Sequence, residues 1–167
     1  MSKPELIKAF NDQIREELHS SYIYLALSAD LDAQNLNGAA AWFRKQAEEE
    51  RGHAMRFYEF INDVGGTVVL QAIPQPGSGI KTLKDAFTLA LGHEKHITAC
   101  IHALVKLSRQ LDDLPAESFL KWFVDEQVEE EKTASALLAK VEMVGASAGS
   151  QYLLDRDLGK LANVSKD

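Results

Sequence analysis

Apolar side chains recur along this chain at the three- and four-residue spacing that predicts amphipathic helices. Four long stripes of this kind cover residues 6–31, 43–64, 83–104 and 119–144. A shorter apolar segment follows residue 150. Each long stripe is interrupted near its middle by polar side chains at positions that should face the protein interior. The pattern therefore predicts four long helices and a short fifth one, with polar groups buried at mid-height.

Turn and capping residues set the limits of these helices. Ser2 is a suitable cap for the first helix, and Gly65-Gly66 is a strong stop signal for the second. The predicted helices cover approximately residues 4–34, 39–64, 83–111, 115–144 and 150–161. We expect one domain over residues 1–167, since a chain of 167 residues is long enough for a single core.

The segment between the second and third helices indicates the topology. Residues 67–82 contain two prolines and two glycines and should not be helical. Extended, this loop reaches roughly 50 Å, whereas a helix like the second is about 39 Å long. The loop can therefore cross the whole bundle, which makes the second and third helices parallel, with Val68, Leu70 and Ile73 as candidate anchors. The predicted fold is all-α, a four-helix bundle with one long crossover and a short C-terminal helix.

Composition narrows the class of protein. The net charge is −7 and no basic cluster is present, so we expect no nucleic-acid partner. No apolar run approaches the ~20 residues of a membrane span, and the N-terminus lacks the apolar core of a signal peptide. Cys100 is the single cysteine, so we expect no internal disulfide and no thiolate-based metal site. We expect a cytoplasmic protein.

A pattern of acids occurs twice with the same spacing. Glu17 precedes Glu50 by 33 residues, and Glu94 precedes Gln127 by 33 residues. Glu50 and Gln127 each begin an i, i+3 pair that lies on one helix face. If the four helices face one another, six side chains surround a single point. We refer to these six as the polar layer: Glu17, Glu50, His53, Glu94, Gln127 and Glu130.

A cation explains why such a layer can be buried. Ionised carboxylates in a bundle core cost several kcal/mol unless they are compensated, and a multivalent cation compensates several at once. Di-iron carboxylate proteins use this construction, and an oxygen-rich set with one imidazole suits iron or manganese. Glu50 is the best candidate for a bridge between two ions.

Other side chains near the polar layer are weaker candidates. Tyr24 lies two turns after Glu17, where its phenol either hydrogen-bonds a ligand or supplies an electron, although a plain core aromatic is the more common role. Glu49, Glu126 and Glu129 form either an outer metal site or a solvated face. His93 and His96 flank Glu94 but leave its stripe, so we expect both on the surface.

Three functional interpretations follow from the residues alone. The first is an iron-oxidising storage protein. The second is a di-metal oxidase or peroxidase that acts on a small organic substrate as a small oligomer. The third is a structural bundle in which the acids only pair with one another. Single buried acids would favour the third, but six polar groups with duplicated spacing favour metal binding.

These residues also carry a family resemblance. The chain resembles the bacterial non-haem ferritins in Glu17, Glu94, the segments 49–53 and 126–130, and the terminal segment 152–156. The resemblance implies ferroxidase activity, in which oxygen or peroxide oxidises Fe(II), and storage of the ferric mineral. It also implies a homo-oligomeric shell of twenty-four subunits, in which the short fifth helix lines four-fold contacts.

The resemblance further assigns roles to individual residues. Glu17, Glu50 and His53 would hold the first iron. Glu50, Glu94 and Glu130 would hold the second, with Gln127 nearby. A third site and two redox-capable aromatics complete the assignment: Glu49, Glu126, Glu129 and Glu130 for the site, and Tyr24 and Trp122 for the aromatics.

Departures from related families exclude several alternatives. A bacterioferritin carries a methionine haem ligand after the position of Glu50, where this chain has Arg51, so we expect no haem. A rubrerythrin needs a cysteine-rich module, which one cysteine cannot supply. A miniferritin of the Dps type builds its site between subunits and lacks the fifth helix. A catalytically silent ferritin would have lost inner ligands, whereas here all are present.

Overall fold

Residues 3–164 are described by a computed structural model, and the predicted cap at Ser2 lies outside them. The five helices of this range confirm the predicted all-α fold: α1 (Pro4–Ala33), α2 (Asn37–Asp63), α3 (Leu83–Gln110), α4 (Leu114–Val144) and α5 (Ala148–Ala162). Within this range, no helix combines the length and apolar content needed to cross a bilayer.

Local signals explain most helix ends. Thr82 accepts a hydrogen bond from the Asp85 N–H at the start of α3, and Asp113 accepts one from the Ala116 N–H at the start of α4. The α1–α2 turn places Asn35 at φ 60°, a left-handed conformation that Asn tolerates better than most residues. The helix α2 begins at Asn37, so Gly38, expected in the turn, belongs to its first helical turn.

The crossover runs along α1. Near the start of α1, the Asn11 side chain donates to the Thr67 carbonyl at 3.0 Å and accepts from the Val69 N–H at 2.7 Å. Near the end of α1, the Asp30 carboxylate accepts from the N–H groups of Gly79 and Ile80. The segment therefore covers the length of the bundle, and α2 and α3 start at the same end, as predicted.

The expected anchors of the crossover are only partly right. Val68 packs against the core and Ile73 is half-buried, but Leu70 is 68% exposed, so its prediction as an anchor is wrong. Its place is taken by Ile80, which packs against the core, and by the backbone and side-chain hydrogen bonds to α1. Hydropathy alone cannot reveal such polar anchors, since they satisfy backbone groups that water would otherwise satisfy.

Two apolar clusters fill the bundle, one on each side of the polar layer. The first cluster lies towards the α5 end and includes Leu31, Phe43, Phe87, Leu137 and Leu158. The second lies towards the other end and includes Phe10, Phe57, Ile101, Leu120 and Phe123. The polar layer interrupts what would otherwise be one continuous core.

The short helix α5 packs on the beginning of α2. The Asp155 carboxylate accepts hydrogen bonds from the N–H groups of Gly38 and Ala39 at 3.2 and 2.8 Å. It therefore caps α2, whose own N-cap residue, Leu36, offers no side-chain bond. The contact is close: a Cβ on Gly38 would lie 1.8 Å from the Asp155 carbonyl oxygen. Lys45 donates to the carbonyls of Leu161 and Val164 at the C-terminal end of α5, where a positive charge is favoured.

Candidate metal centre

Each helix of the bundle contributes to the polar layer. Glu17 comes from α1, Glu94 from α3, and the two i, i+3 pairs come from α2 and α4. All six side chains are buried, with exposures from 0% for Glu17 to 6% for His53. The six polar side chains are therefore buried together, as predicted. Their chemistry depends on which of their atoms approach one another.

The closest group joins α1 and α2. Ligand-type atoms of Glu17, Glu50 and His53 all lie within 4.8 Å of one another. The His53 Nδ1 atom is 3.4 Å from Glu50 Oε2 and 3.9 Å from Glu17 Oε2, so the three are close without being fully hydrogen-bonded. This trio is the first predicted iron-binding set.

Three atoms of this trio are buried without hydrogen bonds. Among residues 3–164, no partner is found for Glu17 Oε2, Glu50 Oε1 or His53 Nδ1. Buried polar atoms are almost always satisfied, because an unsatisfied one costs roughly 1–3 kcal/mol. A bound cation would satisfy all three at once, so the donor atoms present here fit a metal ion.

Glu94 has a different environment. Its carboxylate accepts a hydrogen bond from the Tyr24 hydroxyl and another from Gln127 Nε2 at 3.2 Å. The same Gln127 nitrogen also lies 3.2 Å from Thr98 Oγ1. Tyr24 is thus bonded to a predicted ligand, which is one of the two roles considered for it, and Gln127 orients Glu94 through its amide nitrogen.

Glu130 belongs to a second group that shares His53. Ligand-type atoms of His53, Glu126 and Glu130 lie within 4.8 Å of one another, and His53 Nε2 is 4.0 Å from Glu126 Oε1. The two nitrogens of His53 therefore face different carboxylates. If a metal takes Nδ1, the opposite N–H points towards Glu126, an arrangement that commonly orients a metal-binding histidine.

The predicted outer acids, Glu49, Glu126 and Glu129, do not all lie in the same place. Glu49 and Glu126 line a surface recess together with Gly52, His53, Arg56 and Trp122. Glu129 instead has a 63% exposed side chain that lies 3.6 Å from the Lys132 ammonium group. The structure therefore brings Glu126 and Glu130 together beside His53 and directs Glu129 to solvent.

Trp122 forms one wall of this recess. Its ring lies 5.4 Å from that of His53, and the Arg56 guanidinium carbon lies 3.8 Å above the indole. This cation–π contact holds Arg56 and Trp122 together at the entrance. Nothing in the helical pattern relates Arg56 to Trp122, so the sequence gives no signal for this contact.

Burial dominates the electrostatics of the layer. It raises the pKa of Glu17 well above its usual value, and the charge of Glu50 raises it further. Burial and the charge of Glu94 raise the pKa of Glu50 in the same way. Burial also raises the pKa of Glu94, although the hydrogen bonds from Tyr24 and Gln127 act in the opposite direction. Acids whose pKa values are raised in this way retain protons, and a bound cation displaces those protons.

Two polar residues near the layer differ from expectation. His93 is half-buried, where its ring nitrogen lies 2.6 Å from Ser20 Oγ and its ring packs against Tyr24, so its prediction as a surface residue is wrong. Burial, followed by the nearby His96 and His19, lowers the pKa of His93 to about 4. Gln13 was not anticipated; it donates to Glu17 Oε1 at 2.8 Å from one turn earlier.

Comparison with known proteins identifies the family. A family model for the ferritin-like domain matches residues 7–144. A non-heme ferritin-like protein of Haemophilus influenzae is 36% identical over 162 residues, which cover 97% of this chain and 98% of the relative. A bacterial non-heme ferritin of Escherichia coli is 34% identical over 161 residues, with 96% and 98% covered.

Solved structures agree with the sequence comparisons. An open pore ferritin from the archaeon Archaeoglobus fulgidus superposes with a TM-score of 0.94 at 34% identity. The superposition covers 95% of this chain and 98% of that protein. The likeness therefore extends over the bundle, the crossover and the fifth helix.

Proposed function

Because this chain belongs to the ferritin family, we propose that it stores iron and oxidises Fe(II) to Fe(III) at the polar layer. The observation that carries the proposal is the set of three unsatisfied atoms on Glu17, Glu50 and His53. They leave a buried, anionic position that a cation fits. Iron is then the substrate of the reaction and the cargo of the protein.

The ligand sets follow the family resemblance. We assign the first Fe(II) to Glu17, Glu50 and His53, and the second to Glu50, Glu94 and Glu130, with Gln127 orienting Glu94. Each Fe(II) gives up one electron. Two electrons and two protons convert oxygen to hydrogen peroxide, or convert hydrogen peroxide to two water molecules. Glu50, shared by both sets, keeps the two substrate ions adjacent so that both electrons reach one oxidant.

We assign supporting roles to the residues around the layer. Tyr24 holds Glu94 in place and keeps a redox-capable phenol beside it. The recess beside Trp122 offers a route between the surface and His53, and the acids that line it favour cations. We include Glu49, Glu126, Glu129 and Glu130 as a third iron site, to which Glu129 contributes after it leaves Lys132.

The oligomeric state belongs to the same proposal. The helix α5 buries Leu154 and Leu158 against the bundle, but Tyr152 is 71% exposed and Leu153 and Leu161 are 48% and 44% exposed. Exposed apolar side chains on a short surface helix fit a contact with another copy of the chain. We infer a cytoplasmic homo-oligomeric shell, of twenty-four subunits by the family resemblance, that encloses the ferric mineral.

The proposal is tested by measuring iron oxidation in wild-type protein, in a polar-layer variant and in a matched control variant. Purified, iron-free protein is mixed with Fe(II) and oxygen, and the Fe(III) absorbance is followed. Wild-type protein should rapidly oxidise two Fe(II) per chain. Glu50→Gln should slow this phase at least about ten-fold, a loss typical of damaged metal sites. Glu48→Gln changes an exposed acid of the same helix and should have no effect.

The result also separates the competing interpretations. Oxidation at the wild-type rate in Glu50→Gln, or a wild-type rate no faster than that of Fe(II) in buffer, would overturn the proposal. Sedimentation at the size of a dimer would contradict the shell, since twenty-four copies of an 18.5 kDa chain form a far larger particle.

A further inference from the structure

A second group of metal-binding side chains lies outside the polar layer. Glu16 of α1 and His96 and Cys100 of α3 have ligand-type atoms within 4.8 Å of one another. His96 Nε2 is the centre of the group, 2.9 Å from Glu16 Oε2 and 3.6 Å from Cys100 Sγ. The group therefore offers one oxygen, one nitrogen and one sulfur donor across two helices. The sulfur donor departs from the expectation that the single cysteine takes no part in a metal site.

Helix geometry separates this group from the polar layer. Glu16 immediately precedes Glu17, and successive residues of a helix point about 100° apart. Glu17 is therefore buried while Glu16 lies at the outer edge of α1. His96 follows Glu94 by two residues and turns to the surface in the same way, with a 55% exposed side chain. His96 and Cys100 are one turn apart, on the same face of α3.

The carboxylate of this group is held in position. Arg15 donates to Glu16 Oε1 at 2.9 Å, which directs the other oxygen towards His96. Arg15 also donates to Gln71 of the crossover at 3.1 Å, so the guanidinium is fixed at both ends. The three donors thus approach one another on two packed helices and need no loop to bring them together.

We propose that Glu16, His96 and Cys100 bind a divalent cation of the zinc class, separate from the iron of the polar layer. Zn–S bonds of about 2.3 Å and Zn–N or Zn–O bonds of about 2.0–2.1 Å predict tetrahedral edges of roughly 3.6 Å between S and N and 3.4 Å between N and O. The S–N distance of 3.6 Å already matches. The N–O distance of 2.9 Å must open by about half an ångström.

The oxygen, nitrogen and sulfur ligands of this group indicate which class of metal it binds. A thiolate and an imidazole favour zinc or cobalt over a hard cation such as magnesium, and the polar layer offers no sulfur. Three protein ligands leave a fourth position for water, since the group lies at the surface. Binding requires the Cys100 thiol to lose its proton to solvent. It also requires His96 to release from Nε2 the proton that it donates to Glu16, so that the neutral ring carries its proton on Nδ1.

Cobalt(II) titration of the native assembly tests this site directly. Only a thiolate ligand gives a cobalt charge-transfer band in the near ultraviolet, and Cys100 is the single cysteine of the chain. The band should saturate at one cobalt per chain, and zinc should abolish it by competition. Cys100→Ser should remove the band, and His96→Asn should raise the half-saturating cobalt concentration at least about ten-fold.

Two controls make the test specific. His102→Asn changes an exposed histidine of the same helix and should leave the titration unchanged. Glu50→Gln damages the polar layer and should also keep the band, which shows that the two sites are independent. Absence of the band in wild-type protein, an unchanged midpoint in His96→Asn, or loss of the band in Glu50→Gln would each overturn the proposal.

Discussion

Glu50 occupies a buried position on α2, where it and His53 interrupt a stripe that is otherwise apolar. Its carboxylate is buried beside other acids, and both burial and the charge of Glu94 raise its pKa. Without a cation, the folded protein can avoid the full cost of this charge only by retaining protons. The residue is therefore unfavourable for the metal-free fold, and its benefit depends on what it binds.

The stability of the metal-free protein should report this cost. Between pH 4.5, the usual pKa of Glu, and the raised pKa of Glu50, the folded chain holds a proton that the unfolded chain has released. The contribution of Glu50 to the free energy of unfolding is therefore fully present below pH 4.5. It is lost as the pH rises, by up to about 1.4 kcal/mol per pH unit. Glu50→Gln should gain stability relative to wild type over this range, as measured by urea unfolding.

The comparison between the two proteins reports Glu50 together with Glu17, because the charge of Glu50 raises the pKa of Glu17. His93 acts with the opposite sign, because its lowered pKa makes the folded state more favourable as the pH rises from about 4 to 6.5. This contribution is common to both proteins and cancels in their difference, provided the chain concentrations are equal. If the difference in free energy of unfolding between wild type and Glu50→Gln does not change with pH, the pKa of Glu50 is not raised by the fold.

Tyr24 should affect iron through Glu94. The phenol hydrogen bond lowers the pKa of Glu94, so removing it leaves less carboxylate for Fe(II). A hydrogen bond to a charged group contributes roughly 1.5 kcal/mol, so Tyr24→Phe should weaken Fe(II) binding about ten-fold. Anaerobic Fe(II) titration measures this change. Tyr22→Phe, an exposed tyrosine on the same helix, is the control; equal affinities in the two variants would exclude this role for Tyr24.

Among the helices, α5 depends on close backbone contact. Gly38 and Gly159 let α5 approach α2 so closely that the Asp155 carboxylate reaches the first N–H groups of α2. A Cβ on Gly159 would lie 3.2 Å from Gly38 Cα. The glycines are therefore selected by the packing of two helices, although glycine is normally unfavourable inside a helix.

Gly38→Ala should displace α5. The added methyl would overlap the Asp155 carbonyl, so the variant should lose about 1–3 kcal/mol and its α5 amides should exchange hydrogen faster. Gly92→Ala is a matched control, because its Cβ would meet no atom within 4 Å. It should leave α5 unchanged and add up to about 1 kcal/mol of stability. Protected α5 amides in Gly38→Ala would contradict the close contact.

Periodicity was sufficient to predict the helices and the polar layer, because both depend on which residues share a helix face. The same reasoning could not find Gln13, whose role depends on the rotamer that reaches Glu17. The same reasoning placed His93 at the surface, because it could not show that Ser20 and Tyr24 of the neighbouring helix α1 cover the His93 ring. Exposure of Leu70 likewise reflects how the crossover lies on α1, which spacing along the chain does not specify.

In the whole molecule, the polar layer separates two apolar clusters. The clusters hold the four helices together above and below it, so the bundle stays folded although the layer contains buried oxygen and nitrogen atoms without hydrogen-bond partners. This division explains how one chain combines a stable scaffold with a locally unfavourable site. In the proposed function, substrate iron compensates the charge of the buried acids.

Anomalous diffraction at the iron edge, on crystals loaded with Fe(II) without oxygen, tests whether iron occupies the polar layer. Two iron peaks should appear inside each bundle. One should lie between Glu17, Glu50 and His53, and the other between Glu50, Glu94 and Glu130. Crystals with no iron peak in this layer, and with its carboxylates hydrogen-bonded to one another instead, would show that iron does not compensate these acids.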